Sequence, residues 1–305
     1  MPNALLYLIT VIIWGSTWLV IKFQLGIVPP ALSIAYRFTL AAGLLWFYTT
    51  LRRLPMRFSR RQHAFMALQG FFLFSLNYIL VYLAEGYLTS GLVAIIFSGI
   101  VITNALFSAI LLKDPIRPRV ILGGLVGLLG LVLVFWSELR SFDLSSGRAL
   151  GLILAVCATL SASLGNIVAA RNQRSGLPVL QSNTLGMTYG TGFTILLVLF
   201  QGTELAFDPS ASYIISLAYL ALFGSVIAFG AYLTLLGRIG PDRAAYVTIL
   251  YQIVALALST IFEDLIWNLQ GVFGVILILA GNVVALSRIS AGPKKGYPPA
   301  GSATV

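Results

Sequence analysis

Charged side chains are scarce in this sequence, and cysteine is almost absent. Only 9% of the 305 residues are charged, while 59% are hydrophobic and the mean hydropathy is +0.96. Soluble domains carry about 25% charged residues, so a soluble fold of this length could not bury so much apolar surface. The sequence therefore predicts lipid as the solvent of the chain. The single cysteine, Cys157, excludes an intramolecular disulfide.

The residues that catalysis and metal binding require are also scarce. The one histidine, His63, lies near the start of an apolar run, and no aspartate lies within any such run. An intramembrane serine protease needs a serine and histidine pair, and an aspartyl protease needs two buried aspartates. The sequence contains neither set and no group of metal ligands. We therefore predict no enzymatic activity, no metal and no cofactor.

Long hydrophobic runs, by contrast, are abundant. A helix needs about 20 apolar residues to cross a bilayer, and ten runs qualify. We predict an all-α membrane protein with ten transmembrane helices. The predicted spans are residues 4–22, 31–51, 64–84, 90–111, 119–137, 149–170, 179–200, 212–235, 244–262 and 269–287. Since none of the twelve prolines falls within a span, continuous helices are expected.

The net charge of +10 is distributed by side rather than in one patch. With the amino terminus in the cytoplasm, most Lys and Arg residues fall in cytoplasmic connections, and only Lys22, Arg140 and Arg148 fall in outer ones. Both termini are then cytoplasmic. The positive charge faces anionic lipid, so no nucleic-acid partner is predicted. Residues 289–305 are rich in Gly, Pro, Ser and Ala and are predicted to form a disordered cytoplasmic tail.

A pattern of charged residues and glycines occurs twice, about 150 positions apart. Its members are Lys113-Asp114, Gly123 and Gly130 in the first copy, and Glu263-Asp264, Gly274 and Gly281 in the second. The loop charges place the first charged pair inside and the second outside. The sequence thus predicts two inverted five-helix repeats, residues 1–145 and 146–288, an arrangement typical of secondary transporters. The glycines suit close helix packing within one chain or between two, in a monomer or a weak homodimer.

These features resemble the EamA type of the drug/metabolite transporter superfamily. The resemblance rests on the two five-helix halves, on Trp14-Gly15-Ser16 in the first span and on an acidic residue nine positions before Gly123, and it covers residues 3–288. It implies a small-molecule exporter of the bacterial inner membrane, and YddG-type exporters of aromatic amino acids are the nearest analogues. The usual Gly-Glu at the end of span four is replaced by Lys113-Asp114. This difference leaves the inference of fold from the family intact, but it weakens the inference of substrate.

The resemblance also implies a central cavity, lined by spans 1, 3, 4, 6, 8 and 9 and closed alternately at each end. Polar groups are costly in lipid, so those inside these spans should face the cavity or another helix. In span three, Tyr78, Tyr82 and Glu85 recur at helical spacing, which indicates either a cavity wall or packing between helices. The candidate substrate-binding residues are Trp14, Thr17, Asn77, Tyr78, Tyr82, Ser98, Asn166, Tyr246 and Gln252.

Two charged residues bear on the substrate. Arg37 is the only strongly basic residue within a span, and it could attract a substrate carboxylate or extend to lipid headgroups. The sequence favours the second interpretation. Glu85 lies near the outer end of span three, and no acid lies deeper. Because a proton-coupled cation exporter needs an intramembrane acid, we expect facilitated transport or exchange of a neutral or zwitterionic solute, such as an amino acid. The alternative is a multidrug or other metabolite exporter of the same fold.

Overall fold

The computed structural model describes residues 1–24, 26–88, 93, 96–134, 136–140, 147–262 and 269–286, and every regular element in these ranges is helical. In chain order the helices are α1 (Asn3–Lys22), α2 (Pro30–Leu51), α3 (Arg60–Glu85), α4 (Ile100–Leu111), α5 (Pro118–Val134), α6 (Trp136–Arg140), α7 (Arg148–Arg174), α8 (Val179–Phe200), α9 (Ala211–Ile239), α10 (Pro241–Ala244), α11 (Tyr246–Phe262) and α12 (Leu269–Leu286).

The all-α membrane class that the sequence predicts is confirmed. Within the described ranges, six helices are long and apolar enough to cross a bilayer, namely α1, α2, α3, α7, α8 and α9. Three shorter apolar helices cover Ile96–Leu111, Pro118–Val134 and Leu269–Ala285. The outer surface is apolar as well, with large side chains such as Phe47 and Ile215 about two-thirds exposed (69% and 68%), as expected of a surface that faces lipid.

Proline, glycine and serine mark the helix ends. Pro30 stands at the first position of α2, where its missing N–H has no intrahelical partner to lose. Ser59 begins α3 with a reciprocal capping box to Gln62. Gly240 ends α9 with a φ of 94°, which favours glycine, and Pro241 starts α10 directly after it. These three helix ends therefore have a local backbone cause.

Two of the helices change from α to π geometry in their middle. The π segments are Gly70–Leu76 in α3 and Leu220–Ile227 in α9. The backbone carbonyls there accept hydrogen bonds from other helices: Ser161 Oγ donates to the Phe72 oxygen at 2.8 Å, and Trp14 Nε1 donates to the Gly224 oxygen at 3.1 Å. Such segments are common at functional sites. The sequence did not predict them, because they need neither proline nor any obvious residue pattern.

Helix packing follows a regular scheme. The helix α5 runs along α12, and α2 runs along α8. The helix α1 packs on α9 and α11, while α7 packs on α3 and α4; α3 also contacts α8, and α9 contacts α2. The glycines explain the first pairing, since an added methyl group on Gly123 or Gly130 would lie 2.5 Å from the carbonyl oxygen of Gly281 or Gly274, respectively. These glycines therefore pack within one chain.

A buried aromatic cluster fills the centre of the molecule. The ring centroids of Phe74 and Phe229 lie 4.9 Å apart in an edge-to-face arrangement, and those of Phe38 and Phe74 lie 5.6 Å apart. All three side chains are at most 3% exposed. The cluster joins α2, α3 and α9 beside the two π segments, and through Phe229 it reaches the wall of the central cavity.

Candidate functional site

A central cavity of about 100 Å³ lies between helices from both ends of the chain. Its wall comes from α1, α2, α3, α7, α9 and α11, with Ile100 at the start of α4 and Phe97 shortly before it. The spans that the resemblance implied are therefore all represented, and α2 is added to them through Arg37. The residues that line it include Trp14, Thr17, Ile21, Arg37, Leu73, Asn77, Tyr78, Tyr82, Glu85, Asn166, Phe229, Tyr232, Thr248 and Tyr251.

Six of the nine candidate residues line this cavity: Trp14, Thr17, Asn77, Tyr78, Tyr82 and Asn166. The other three lie elsewhere. Ser98 is fully buried, the Tyr246 hydroxyl donates a hydrogen bond to the Val120 carbonyl of α5, and Gln252 is buried beside the neighbouring Tyr251. In α11, Thr248 and Tyr251 face the cavity instead of Tyr246 and Gln252, which lie only two positions and one position away, respectively. The sequence could not distinguish them because both pairs are polar or aromatic.

Aromatic rings form the apolar part of the wall. The ring of Trp14 lies 4.9 Å from that of Phe229, 4.9 Å from that of Tyr232 and 6.2 Å from that of Tyr251. Tyr232 and Phe229 were not among the predicted residues, although both belong to a helix that the resemblance implied. Edge-to-face rings of this kind offer flat apolar surface with an occasional hydroxyl.

Amide groups form part of the polar wall. Asn166 Nδ2 donates to the Tyr232 hydroxyl at 2.9 Å and so ties α7 to α9. The Oδ1 atoms of Asn77 and Asn166 are buried and accept no hydrogen bond from any described residue. Thr17, in contrast, donates its hydroxyl proton to the Trp14 carbonyl of its own helix at 2.7 Å. The two amide oxygens are therefore free to accept from a ligand, because a buried acceptor without a partner is costly.

Arg37 is buried in the cavity wall, with 2% of its surface exposed. Its Nε donates to Ser225 Oγ at 2.9 Å, and its Nη2 lies 3.5 Å from the Tyr78 hydroxyl. Its Cζ lies 5.0 Å from the Tyr78 ring centroid, within the range of a cation–π contact. The interpretation that the sequence favoured, extension to lipid headgroups, is wrong, because the side chain is held by α3 and α9 inside the protein.

Glu85 lines the same cavity and is partly buried. It stands at the end of α3, seven residues after Tyr78 and three after Tyr82. The helical spacing of the three residues therefore places both tyrosines and the carboxylate along one wall. The cavity accordingly contains a guanidinium and a carboxylate, in addition to its rings and amides.

A second, wider cavity of about 1260 Å³ lies on the side that the loop charges predict to be cytoplasmic. It is bounded by the start of α1, the ends of α4, α7 and α9, and the residues around α10. Two ion pairs lie in its wall: Arg174 Nη2 is 2.6 Å from Asp114 Oδ2, and Arg117 Nη1 is 3.4 Å from Asp242 Oδ2. Each pair joins a residue before position 146 to one after it.

The two carboxylates in these pairs differ electrostatically. Partial burial by itself would raise the pKa of Asp114, but hydrogen bonds from Arg174 and from Ser108 Oγ, the latter at 2.6 Å, lower this pKa below its ordinary value. Deeper burial raises the pKa of Asp242 above its ordinary value, despite the opposing charge of Arg117. Asp114 therefore belongs to a well-solvated pair, and Asp242 to a pair whose desolvation outweighs its attraction.

The first charged pair of the repeated pattern thus has a structural role at the end of α4. Lys113 adopts a φ of 58°, which ends the helix, and Asp114 forms the ion pair with Arg174. The second charged pair, Glu263-Asp264, lies outside the described residues, as does the predicted tail 289–305.

Known proteins resemble this chain in sequence and in fold. The sequence model of the EamA-like transporter family matches residues 1–136 and 149–287. The chain is 29% identical over 281 residues to the uncharacterized inner membrane transporter YedA of Escherichia coli (strain K12), covering 88% of each protein. It is 24% identical over 295 residues to the probable amino-acid metabolite efflux pump of the same strain, covering 92% of this chain and 93% of the pump. A crystal structure of a protein with 18% identity superposes with a TM-score of 0.77, covers 93% of this chain and 96% of that one, and so shares the fold.

Proposed function

This chain belongs to the EamA-like transporter family, and we propose that it is an inner-membrane exporter of amino acids, including aromatic ones, and of related small metabolites. The central cavity is the observation that carries this proposal. Its wall combines the rings of Trp14, Tyr78 and Tyr251 with the buried amides of Asn77 and Asn166. Such a wall suits a solute with an apolar body and a polar head. A relative whose name describes an amino-acid metabolite efflux pump supports the same substrate class.

The architecture we propose is ten spans in two inverted five-helix repeats, residues 1–145 and 146–288. The helix pairs support it. If α1 to α5 are equivalent to α7, α8, α9, α11 and α12, exchanging the halves converts each major contact into another: α1 with α11 becomes α7 with α4, and α3 with α8 becomes α9 with α2. The two ranges that match the family also divide near the same point.

The π segments support the same equivalence. They occur in α3 and α9, the third helix of each proposed repeat. The first helix of the opposite repeat supplies a donor to each of them, Ser161 from α7 to the segment in α3 and Trp14 from α1 to the segment in α9. Each half therefore holds the other beside the cavity through the same kind of bond.

Alternating access follows from this arrangement. In this conformation, the wide cavity opens on the side that we assign to the cytoplasm, and the central cavity shares α1, α4, α7, α9 and α11 with it. Rocking of one repeat against the other would close the wide cavity and open the outer side, with the central cavity as the fixed site. The cytoplasmic placement of both termini follows from the loop charges.

We propose that transport is facilitated or proceeds by exchange. Glu85 is the acidic residue in the cavity wall, and it stands at the end of α3 instead of in the middle of the helix. This position suits a ligand contact at the mouth of the cavity better than a proton relay through the membrane. A pH gradient imposed across proteoliposomes tests this: we expect no uphill accumulation of amino acid, and accumulation driven by the gradient would contradict the proposal.

The competing function is export of hydrophobic cations on the same fold. Glu85 is the feature that would favour it, since a carboxylate in the cavity attracts cations. Arg37 opposes it, because a buried guanidinium in the same wall repels them.

Counterflow in proteoliposomes tests the proposed function. Vesicles loaded with unlabelled L-phenylalanine, L-leucine or L-threonine should accumulate the labelled amino acid above the level of protein-free vesicles. Tyr78→Ala should reduce this accumulation, whereas Phe47→Ala, which changes a side chain on the lipid-facing surface, should not. If no amino acid in the panel exchanges and a labelled hydrophobic cation does, the amino-acid assignment is wrong and the competing function replaces it.

A further inference from the structure

Arg37 is a buried cation with no acidic partner among the described residues. The ion pairs found in those residues are Arg117 with Asp242 and Arg174 with Asp114, both at the wide cavity. A buried charge that lacks an opposite charge is costly, and within membranes such charges typically belong to sites of function. A ligand that carries a negative charge would offset the free-energy cost of burying this cation.

The shortest hydrogen bond of the Arg37 guanidinium joins it to α9. Ser225 Oγ accepts from Nε at 2.9 Å and donates its own proton to the Leu220 carbonyl at 3.0 Å, so this hydroxyl is fixed to the π segment of α9. A methyl group at Gly224 would lie 3.0 Å from Nη2, which shows how closely the segment approaches the charge. The π geometry thus seats the guanidinium against the backbone of α9.

The other edge of the guanidinium has a terminal nitrogen without a hydrogen-bond partner among the described residues. Its Nη1 is buried and makes no hydrogen bond with any described residue, and its Nη2 lies 3.5 Å from the Tyr78 hydroxyl. A guanidinium presents five N–H donors in a planar fork that matches a carboxylate. Because the residue lines the central cavity, the unused donors are available to a ligand there.

Glu85 supplies the opposite charge in the same wall. Tyr82, which lines the same cavity, interacts electrostatically with both Arg37 and Glu85. Neither charge neutralises the other, since no ion pair joins them. An anion without an ammonium group would meet repulsion from Glu85, and a cation without a carboxylate would meet repulsion from Arg37.

We propose that the central cavity recognises α-amino acids as zwitterions, with Arg37 binding the α-carboxylate and Glu85 binding the α-ammonium group. The side chain of the ligand then lies against the rings of Trp14 and Tyr251. This inference rests on the proposed function, since it names the groups through which the exporter holds its solute. It excludes dicarboxylates, phosphate esters and simple amines as good ligands.

Competition with L-phenylalanine counterflow tests the two charges separately. The competitors are N-acetyl-L-phenylalanine, which keeps only the carboxylate, and 2-phenylethylamine, which keeps only the ammonium group. In the unchanged protein, each should compete about 10- to 100-fold less well than unlabelled L-phenylalanine, because each loses one charge-assisted contact. Equal competition by the amine or by the N-acetyl compound would overturn the proposal.

Substitutions assign each charge to its residue. Arg37→Gln should lower the apparent affinity for L-phenylalanine by about 10- to 100-fold. It should also remove the preference for the zwitterion over 2-phenylethylamine. Glu85→Gln should instead remove the preference over N-acetyl-L-phenylalanine. Arg37→Lys keeps the charge without the fork and should recover part of the loss. If Arg37→Gln weakens the zwitterion and the amine equally, Arg37 has only a structural role and the proposal fails.

Two further measurements keep this test decisive. If Arg37→Gln does not fold, Ser225→Ala tests the same guanidinium, because it keeps the cation and removes the hydroxyl that anchors Nε. Ser225→Ala should lower the apparent affinity for carboxylate ligands more than that for the amine, and an equal loss for both would count against the site. Failure of the proposed function itself is recognised independently. If the unchanged protein exchanges no amino acid, the substrate class is wrong; if it does and the charge variants behave alike, only this site assignment is wrong.

Discussion

Gly123 of α5 and Gly281 of α12 approach each other so closely that a methyl group on either would lie 2.5 Å from the carbonyl oxygen of the other. Gly130 and Gly274 have the same relationship, at 2.5 and 2.6 Å. In the sequence pattern, Gly123 corresponds to Gly274, and Gly130 corresponds to Gly281. Exchanging the two copies of the pattern therefore converts the contact of Gly123 with Gly281 into that of Gly274 with Gly130. This is the contact pattern of a two-fold axis. This reciprocity supports the inverted repeat more directly than the charged residues do.

Alanine at Gly123 should destabilise the protein markedly. The new methyl group would meet backbone atoms of α12, which cannot move aside as a flexible side chain can, so we expect a loss of about 1 to 3 kcal/mol. Thermal unfolding in detergent measures it. Gly43→Ala is the matched control, because an added methyl group there meets nothing within 4 Å, and it should leave stability unchanged or slightly raised. Equal effects of the two substitutions would contradict the close packing.

Phenylalanine at Trp14 should loosen the π segment of α9. The substitution keeps an aromatic ring against Phe229 but removes the hydrogen bond to the Gly224 carbonyl. Hydrogen bonds between membrane helices contribute about 0.6 to 2 kcal/mol, so we expect a stability loss of this order and slower exchange. Trp46→Phe removes a bond to Thr188 at the periphery, and it should lower stability without slowing exchange. If Trp14→Phe exchanged amino acid as fast as the unsubstituted protein, this bond would have no role in transport.

Two tyrosines should respond differently to loss of their hydroxyl. Tyr78 lines the central cavity next to Arg37, whereas the Tyr246 hydroxyl donates to the Val120 carbonyl of α5. Tyr78→Phe should therefore weaken the apparent affinity for amino acid several-fold and change stability little. Tyr246→Phe should lower stability by about 1 kcal/mol and leave the affinity unchanged. Counterflow and thermal unfolding of the same samples separate the two effects, and the reverse assignment would show that the cavity is not the site.

The ion pairs at the wide cavity should differ in their contribution to stability. The pKa of Asp114 is lowered, so its pair stabilises the folded state above the unfolded pKa of about 4, and this contribution is lost as the pH falls through the folded pKa. Asp114→Asn should cost about 0.2 to 1 kcal/mol at neutral pH, and less at high salt. The pKa of Asp242 is raised, so its ionisation opposes folding as the pH rises through the folded pKa.

Asp242→Asn should therefore leave stability at neutral pH unchanged or raise it. Chemical unfolding of both variants at pH 4 and pH 7, with and without 0.5 M salt, makes the comparison. Stabilisation by Asp114→Asn, or a loss of stability in Asp242→Asn as large as that in Asp114→Asn, would contradict the difference between the two pairs.

Local sequence determined the class of this protein and most of its helix ends. Apolar length requires a lipid environment, and proline and glycine stop helices through effects confined to a few residues, so the predicted span 179–200 coincides with α8. The spacing of Tyr78, Tyr82 and Glu85 is likewise a local property of one helix, and all three line the cavity.

Tertiary structure decided which polar residues converge. The rotation of each helix about its axis depends on side chains far away in the sequence, so α11 presents Thr248 and Tyr251 to the cavity and turns Tyr246 and Gln252 away. The same holds for Arg37, whose long side chain could extend to headgroups until Ser225 of a distant π segment fixes it inward. Hydrophobic length is a property of each segment by itself and can be read from the local sequence. The cavity, in contrast, forms only where helices that are distant in the sequence meet.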